Sequence, residues 1–100
     1  MPTLLLVEDE AVLARNLQKV FARGGFTVHH AGTIADGLRV LDEVHPEVVL
    51  MDLRLPDGSG LDALPQMLAR EPEAAVIMMT AYGSVDDAVN AMRNGARDFV

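Results

Sequence analysis

The chain is predicted to be an α/β domain built on a doubly wound parallel sheet, because apolar blocks of strand length alternate with stripes at helical spacing. Four blocks, Leu4 to Val7, Thr27 to His29, Val48 to Met51 and Val76 to Met79, are separated by segments of 3.6-residue period. Three of the blocks are continuous rather than alternating, as strands covered by helices on both faces are. At 100 residues, half of them apolar, the chain has the size of one domain with its own core.

The first strand, Leu4 to Val7, is followed by a helix whose stripe is Leu13, Leu17, Val20 and Phe21, closing near Gly24. After the weakest strand, Thr27 to His29, Thr33 with Asp36 signals a helix start, and Ile34, Leu38 and Leu41 give its apolar face. The third strand, Val48 to Met51, precedes a helix from about Gly60 to Arg70 carrying Leu61, Leu64 and Leu68. Pro65 inside it predicts a kink or a late start. Strand four, Val76 to Met79, leads to a helix capped by Ser84 with Asp87, striped by Val85, Ala88, Val89 and Met92 and ended by Gly95. Asp98, Phe99 and Val100 open a fifth strand. Regular alternation implies right-handed crossovers, and ligands in such sheets bind at the carboxyl ends of the strands.

Fifteen acids against eight bases give a net charge of −7, which repels a phosphate backbone and argues against direct nucleic-acid binding. Without cysteine there is no disulfide framework and no thiolate chemistry. Neither a signal peptide nor a membrane span is predicted, so a soluble, cytoplasmic domain with no membrane partner is expected. Adjacent His29 and His30 point to opposite faces of a strand and read as edge positions rather than a metal pair.

The chemistry concentrates at strand ends. Strand one runs into Glu8, Asp9 and Glu10, and strand three into Asp52, which is followed by the turn Leu53-Arg54-Leu55-Pro56-Asp57-Gly58. Carboxylates converging there would repel one another unless a divalent cation neutralised them, and an all-oxygen site with few protein ligands suits Mg²⁺ or Mn²⁺. For Glu10 a place in that cluster and a place in the first helical turn, where an acid complements the dipole, are evenly balanced. Thr80 would put a hydroxyl beside the carboxylates at the end of strand four.

Leu5-Leu6-Val7-Glu8-Asp9-Glu10, Met51 through Gly60, Met79-Thr80-Ala81-Tyr82 and Gly95-Ala96-Arg97-Asp98-Phe99-Val100 together resemble the response-regulator receiver domain of two-component signalling. The resemblance covers the entire chain and is strongest to receivers of enhancer-binding transcription activators. It implies the flavodoxin-like strand order 2-1-3-4-5, with the fifth strand truncated at the C-terminus. Residues 1–100 would then be a receiver incomplete at its C-terminal end, with the output domain not present and the family's lysine expected just beyond Val100. It further implies that Asp52 is the phosphoacceptor, that Asp9, Asp52 and the backbone carbonyl of Arg54 ligate Mg²⁺ (or Mn²⁺), and that Glu8 acts either from behind these ligands or through water. Thr80 becomes the switch hydroxyl and Phe99 the switch aromatic. The implied partner is a histidine kinase or phosphotransfer protein in a phosphorelay, with a homodimer through the helix 4/strand 5 face as a further partner. The expected product is a phosphoprotein that regulates an output, transcription above all, and not a turnover enzyme. Two rivals stand beside this reading. A dehalogenase-type phosphatase would need a second acid where Arg54 stands, and a phosphorylation-independent scaffold would retain the fold but not the transfer.

Overall fold

The computed structural model describes residues 1–79 and 85–100. In chain order they form β1 (Thr3–Val7), α1 (Ala11–Arg23), β2 (Thr27–Ala31), α2 (Ile34–Val44), β3 (Val48–Asp52), β4 (Arg54–Leu55) and β5 (Gly58–Ser59). There follow α3 (Gly60–Arg70), β6 (Ala75–Met79), α4 (Val85–Arg93) and β7 (Asp98–Phe99). The main sheet is parallel with order β2-β1-β3-β6-β7. This is the predicted 2-1-3-4-5 order; the numbering differs only because the two-residue strands β4 and β5 form a separate antiparallel hairpin.

The sheet separates two apolar layers, since successive side chains of a strand point to opposite faces. Leu4, Leu6 and Leu50 pack with Ala14 of α1 on one side. Leu5, Val7, Val49, Met51, Val76 and Met78 pack on the other with Val40, Leu41, Leu64, Met67 and Ala91 of α2, α3 and α4. β1 is buried from Leu4 onward, as its continuous apolar run predicts, whereas β6 alternates, with Val76 and Met78 buried and Ile77 and Met79 half-buried.

Two predicted helix faces are rotated. α1 meets the sheet through Ala14, Leu17 and Phe21, leaving Leu13 and Val20 exposed. Ala14 is the small residue at the contact, so the helix approaches on that line instead. α4 buries Ala91 and leaves Val85, Val89 and Met92 in solvent. Pro65 neither delays nor ends α3, which begins at Gly60. Its ring is on the exposed side, where the Leu61 carbonyl left without an N–H can be served by water. The Ser84 cap lies outside the described residues.

Candidate functional site

β1 and β3 are neighbours in register, Val7 opposite Met51, so the residues that follow them emerge at one edge of the sheet. Glu8, Asp9 and Asp52 meet there: each can offer a carboxylate oxygen within 4.8 Å of the others. Their surroundings differ. Glu8 is 2% exposed, Asp52 is half-buried and Asp9 faces solvent.

Burial is the chief reason that the Glu8 carboxyl is pushed up to about 7. The Glu10 N–H opposes the rise, while Asp52, as hydrogen-bond acceptor and neighbouring charge, and Asp9 add to it. Because this pKa lies above its unfolded value of 4.5, the cation-free fold holds the proton more tightly than the unfolded chain does. Its stability should therefore fall as pH rises from about 4.5 through 7. Urea unfolding in a chelator is expected to show a loss of about 2 kcal/mol between pH 5 and 7.5. Glu8→Gln should flatten that slope; an unchanged slope would show that Glu8 is not its source.

Glu10 goes to the helix. It is the N-cap of α1, accepting from Leu13 N at 2.8 Å and Val12 N at 3.3 Å, while its own N–H donates to Glu8 Oε1 at 3.0 Å. Glu10→Ala is expected to cost about 1 kcal/mol of stability and to leave divalent-cation affinity unchanged, measured by urea unfolding and titration calorimetry.

Arg54 N donates to Asp52 Oδ1 at 3.3 Å, setting the direction of that carboxylate. The Arg54 side chain is exposed. Phe99 is half-buried against the larger apolar layer, its backbone opposite Met78. Thr80 lies outside the described residues. Lys19 is an exposed residue of α1.

The structure also shows two supports that the sequence did not announce. His30 Nε2 donates to the Glu8 carbonyl at 2.7 Å, which requires the proton on that nitrogen. Strand alternation separated His29 from His30, but it could not say which of them reaches the end of β1. Gly60, read from the sequence as a helix start, lies directly against the end of β3: a Cβ there would fall 2.2 Å from the Asp52 carbonyl oxygen and 2.9 Å from Met78 Cε.

The donor set is all carboxylate oxygen, partly solvated, and fits a hard divalent cation that keeps several waters. Residues 4–100 match the response regulator receiver domain family. The chain is a receiver domain. The receiver is 43% identical over 97 residues to regulatory protein AtoC of Escherichia coli, an alignment covering 97% of this chain and 21% of AtoC. With photosynthetic apparatus regulatory protein RegA of Rhodovulum sulfidophilum it shares 34% identity over 99 residues, 99% of the receiver and 54% of RegA. It thus spans about a fifth of AtoC and about half of RegA. A response regulator protein from Burkholderia pseudomallei, crystallised with a phosphorylated aspartic acid, calcium ion and citrate, superposes with TM-score 0.94 at 27% identity, over 99% of the receiver and 58% of that chain. Membership of a two-component signalling family removes the phosphatase reading, which the Arg54 position already opposed. No helix among the described residues is long and apolar enough to cross a membrane.

Proposed function

We propose that this receiver takes a phosphoryl group onto Asp52 from the phosphohistidine of a kinase or phosphotransfer protein, and that the modification switches an output, transcription in particular. The observation that carries this reading is the meeting of Asp52 with Glu8 and Asp9 at the carboxyl ends of adjacent parallel strands. An Asp52 carboxylate oxygen attacks phosphorus, the bond from phosphorus to the donor imidazole nitrogen breaks with its electron pair leaving on the imidazole, and an acyl phosphate forms. Asp9, Asp52 and the Arg54 carbonyl would hold Mg²⁺ or Mn²⁺, with Glu8 acting from behind these ligands or through water. When bound, the ion supplies positive charge against the carboxylates and the incoming phosphoryl oxygens.

Thr80 is assigned the hydroxyl that bonds a phosphoryl oxygen, and Phe99 the aromatic that moves with it. The regulatory names of AtoC and RegA support a transcriptional output carried by a longer protein of which residues 1–100 are the receiver portion. The exposed apolar residues Val85, Val89 and Met92 of α4 support a homodimer through α4 and β7. A cytoplasmic location follows from a kinase as donor.

Incubation with acetyl phosphate and Mg²⁺, read by intact mass, tests the reading. One phosphoryl group per chain is expected, and none in the presence of a chelator. Absence of incorporation with Mg²⁺ present would overturn it.

A further inference from the structure

We propose that Asp57 is a positioning residue for Asp52: its carboxylate fastens the β4–β5 hairpin to the N-terminus of α2, and the hairpin in turn holds the phosphoacceptor. The proposal rests on the reading of Asp52 given above. A helix leaves its first N–H groups without intrahelical partners. In α2 they are shared between two caps of different origin. Thr33 Oγ1 accepts from Asp36 N at 3.1 Å in the usual local way. The N–H groups of Ile34 and Ala35 donate instead to Asp57 Oδ1 at 2.8 Å and Oδ2 at 3.0 Å, across 23 and 22 residues of chain.

These bonds hold the Asp57 carboxyl below the usual carboxylate range, as accepting from N–H groups at a helix N-terminus does. A second contact lies beside them. Gly58 adopts φ 149°, and the place of its missing Cβ is 3.4 Å from Ile34 Cδ1, so the hairpin backbone rests on the first residue of α2.

From there the path to Asp52 is short. Arg54 pairs with Ser59 and Leu55 with Gly58, leaving Pro56 and Asp57 as the turn. Arg54 N is the donor to Asp52 Oδ1. At the other end of the hairpin Ser59 Oγ caps α3 through Leu61 N at 3.1 Å, and Gly60 N donates to the Leu53 carbonyl at 2.8 Å. The loop that follows the phosphoacceptor is thus tied to two helices, and Asp57 is its tie to α2. Loss of that tie would leave the hairpin held at its α3 end alone and loosen the segment that carries Arg54, whose N–H donates to the Asp52 carboxylate and whose carbonyl is the assigned cation ligand.

Helix capping alone predicts a different outcome, so Thr33→Ala is the control: it removes a cap from the same helix without touching the hairpin. Asp57→Ala is expected to shift the Arg54 amide resonance of the cation-free protein. It should also weaken Mg²⁺ binding about tenfold by calorimetry, the lower end of what loss of a support behind a metal ligand costs. Asp57→Asn, which keeps one accepting oxygen, should fall between it and the unaltered protein and serves if the alanine variant does not fold. Thr33→Ala should lower stability while leaving the Arg54 amide and Mg²⁺ affinity in place. Equal effects of Asp57→Ala and Thr33→Ala, or an unmoved Arg54 amide in Asp57→Ala, would overturn the positioning role alone. Unaltered protein that bound no Mg²⁺ would overturn the phosphoacceptor reading on which it rests.

Discussion

Asp52→Asn is expected to abolish phosphoryl incorporation from acetyl phosphate or a phosphohistidine donor, a loss of at least about a thousandfold, or about 4 kcal/mol of barrier. The amide that replaces the carboxylate is nearly the same size and can still accept from Arg54 N, so the hairpin geometry should survive. What disappears is the anionic oxygen that must form the bond to phosphorus. Glu8 and Asp9 can each offer a carboxylate oxygen within 4.8 Å of that of Asp52, but Glu8 is buried and turned toward Glu10 N. Transfer to Glu8 is therefore not expected. The substitution should also stabilise the cation-free protein at neutral pH, because it removes a charge beside Glu8. Intact mass after labelling decides the first point, and urea unfolding in a chelator the second. Undiminished labelling would place the acceptor elsewhere.

Gly60→Ala is expected to destabilise the fold by about 3 kcal/mol. Helix propensity alone gives the opposite sign, since alanine in a helix is favoured over glycine by up to about 1 kcal/mol. The close approach decides against it. The added carbon would fall 2.2 Å from the Asp52 carbonyl oxygen, a backbone atom that can move only if β3 or the start of α3 moves. The Gly60 N–H bond to the Leu53 carbonyl would be strained in the same step. Gly37 offers a comparison, for the nearest atoms a Cβ there would meet belong to side chains, Val7 Cγ2 at 3.1 Å and Met67 Cε at 3.3 Å, which need shift by only a few tenths of an ångström. Urea unfolding of both variants should rank Gly60→Ala as clearly the worse. A Gly60→Ala protein as stable as its parent would show that the turn after Asp52 shifts freely.

The order of elements and the acidic cluster were legible for a simple reason: buried parallel strands need unbroken apolar runs, and Leu4 to Val7 and Val48 to Met51 each run straight into acids. Helix faces were less legible. In α1 the apolar positions Leu13 and Val20 fit the stripe as well as Leu17 and Phe21, and only the packing of Ala14 against Leu4, Leu6 and Leu50 selects between them. Glu10 could be assigned only once its carboxylate was seen to accept from Val12 and Leu13. The β4–β5 hairpin left no periodic trace, being two residues per strand. The bonds of Asp57 and His30 join residues more than twenty positions apart, and no local pattern encodes such a partner.

The shallow seating of α4 has an energetic meaning. With Ala91 as its buried residue, Asp87 and Ala88 half-buried, and Val85, Val89 and Met92 in solvent, this helix buries little apolar side chain against the sheet, at about 0.8 kcal/mol per methylene group. A second seating of α4 would need no large input to reach. A change at the sheet edge that favoured one seating by about 1.4 kcal/mol would alter the ratio of the two tenfold. The strands with α1, α2 and α3 bury most of the apolar side chains, and α4 adds Ala91 to the layer beneath the acids, so most of that packing does not depend on how α4 is seated.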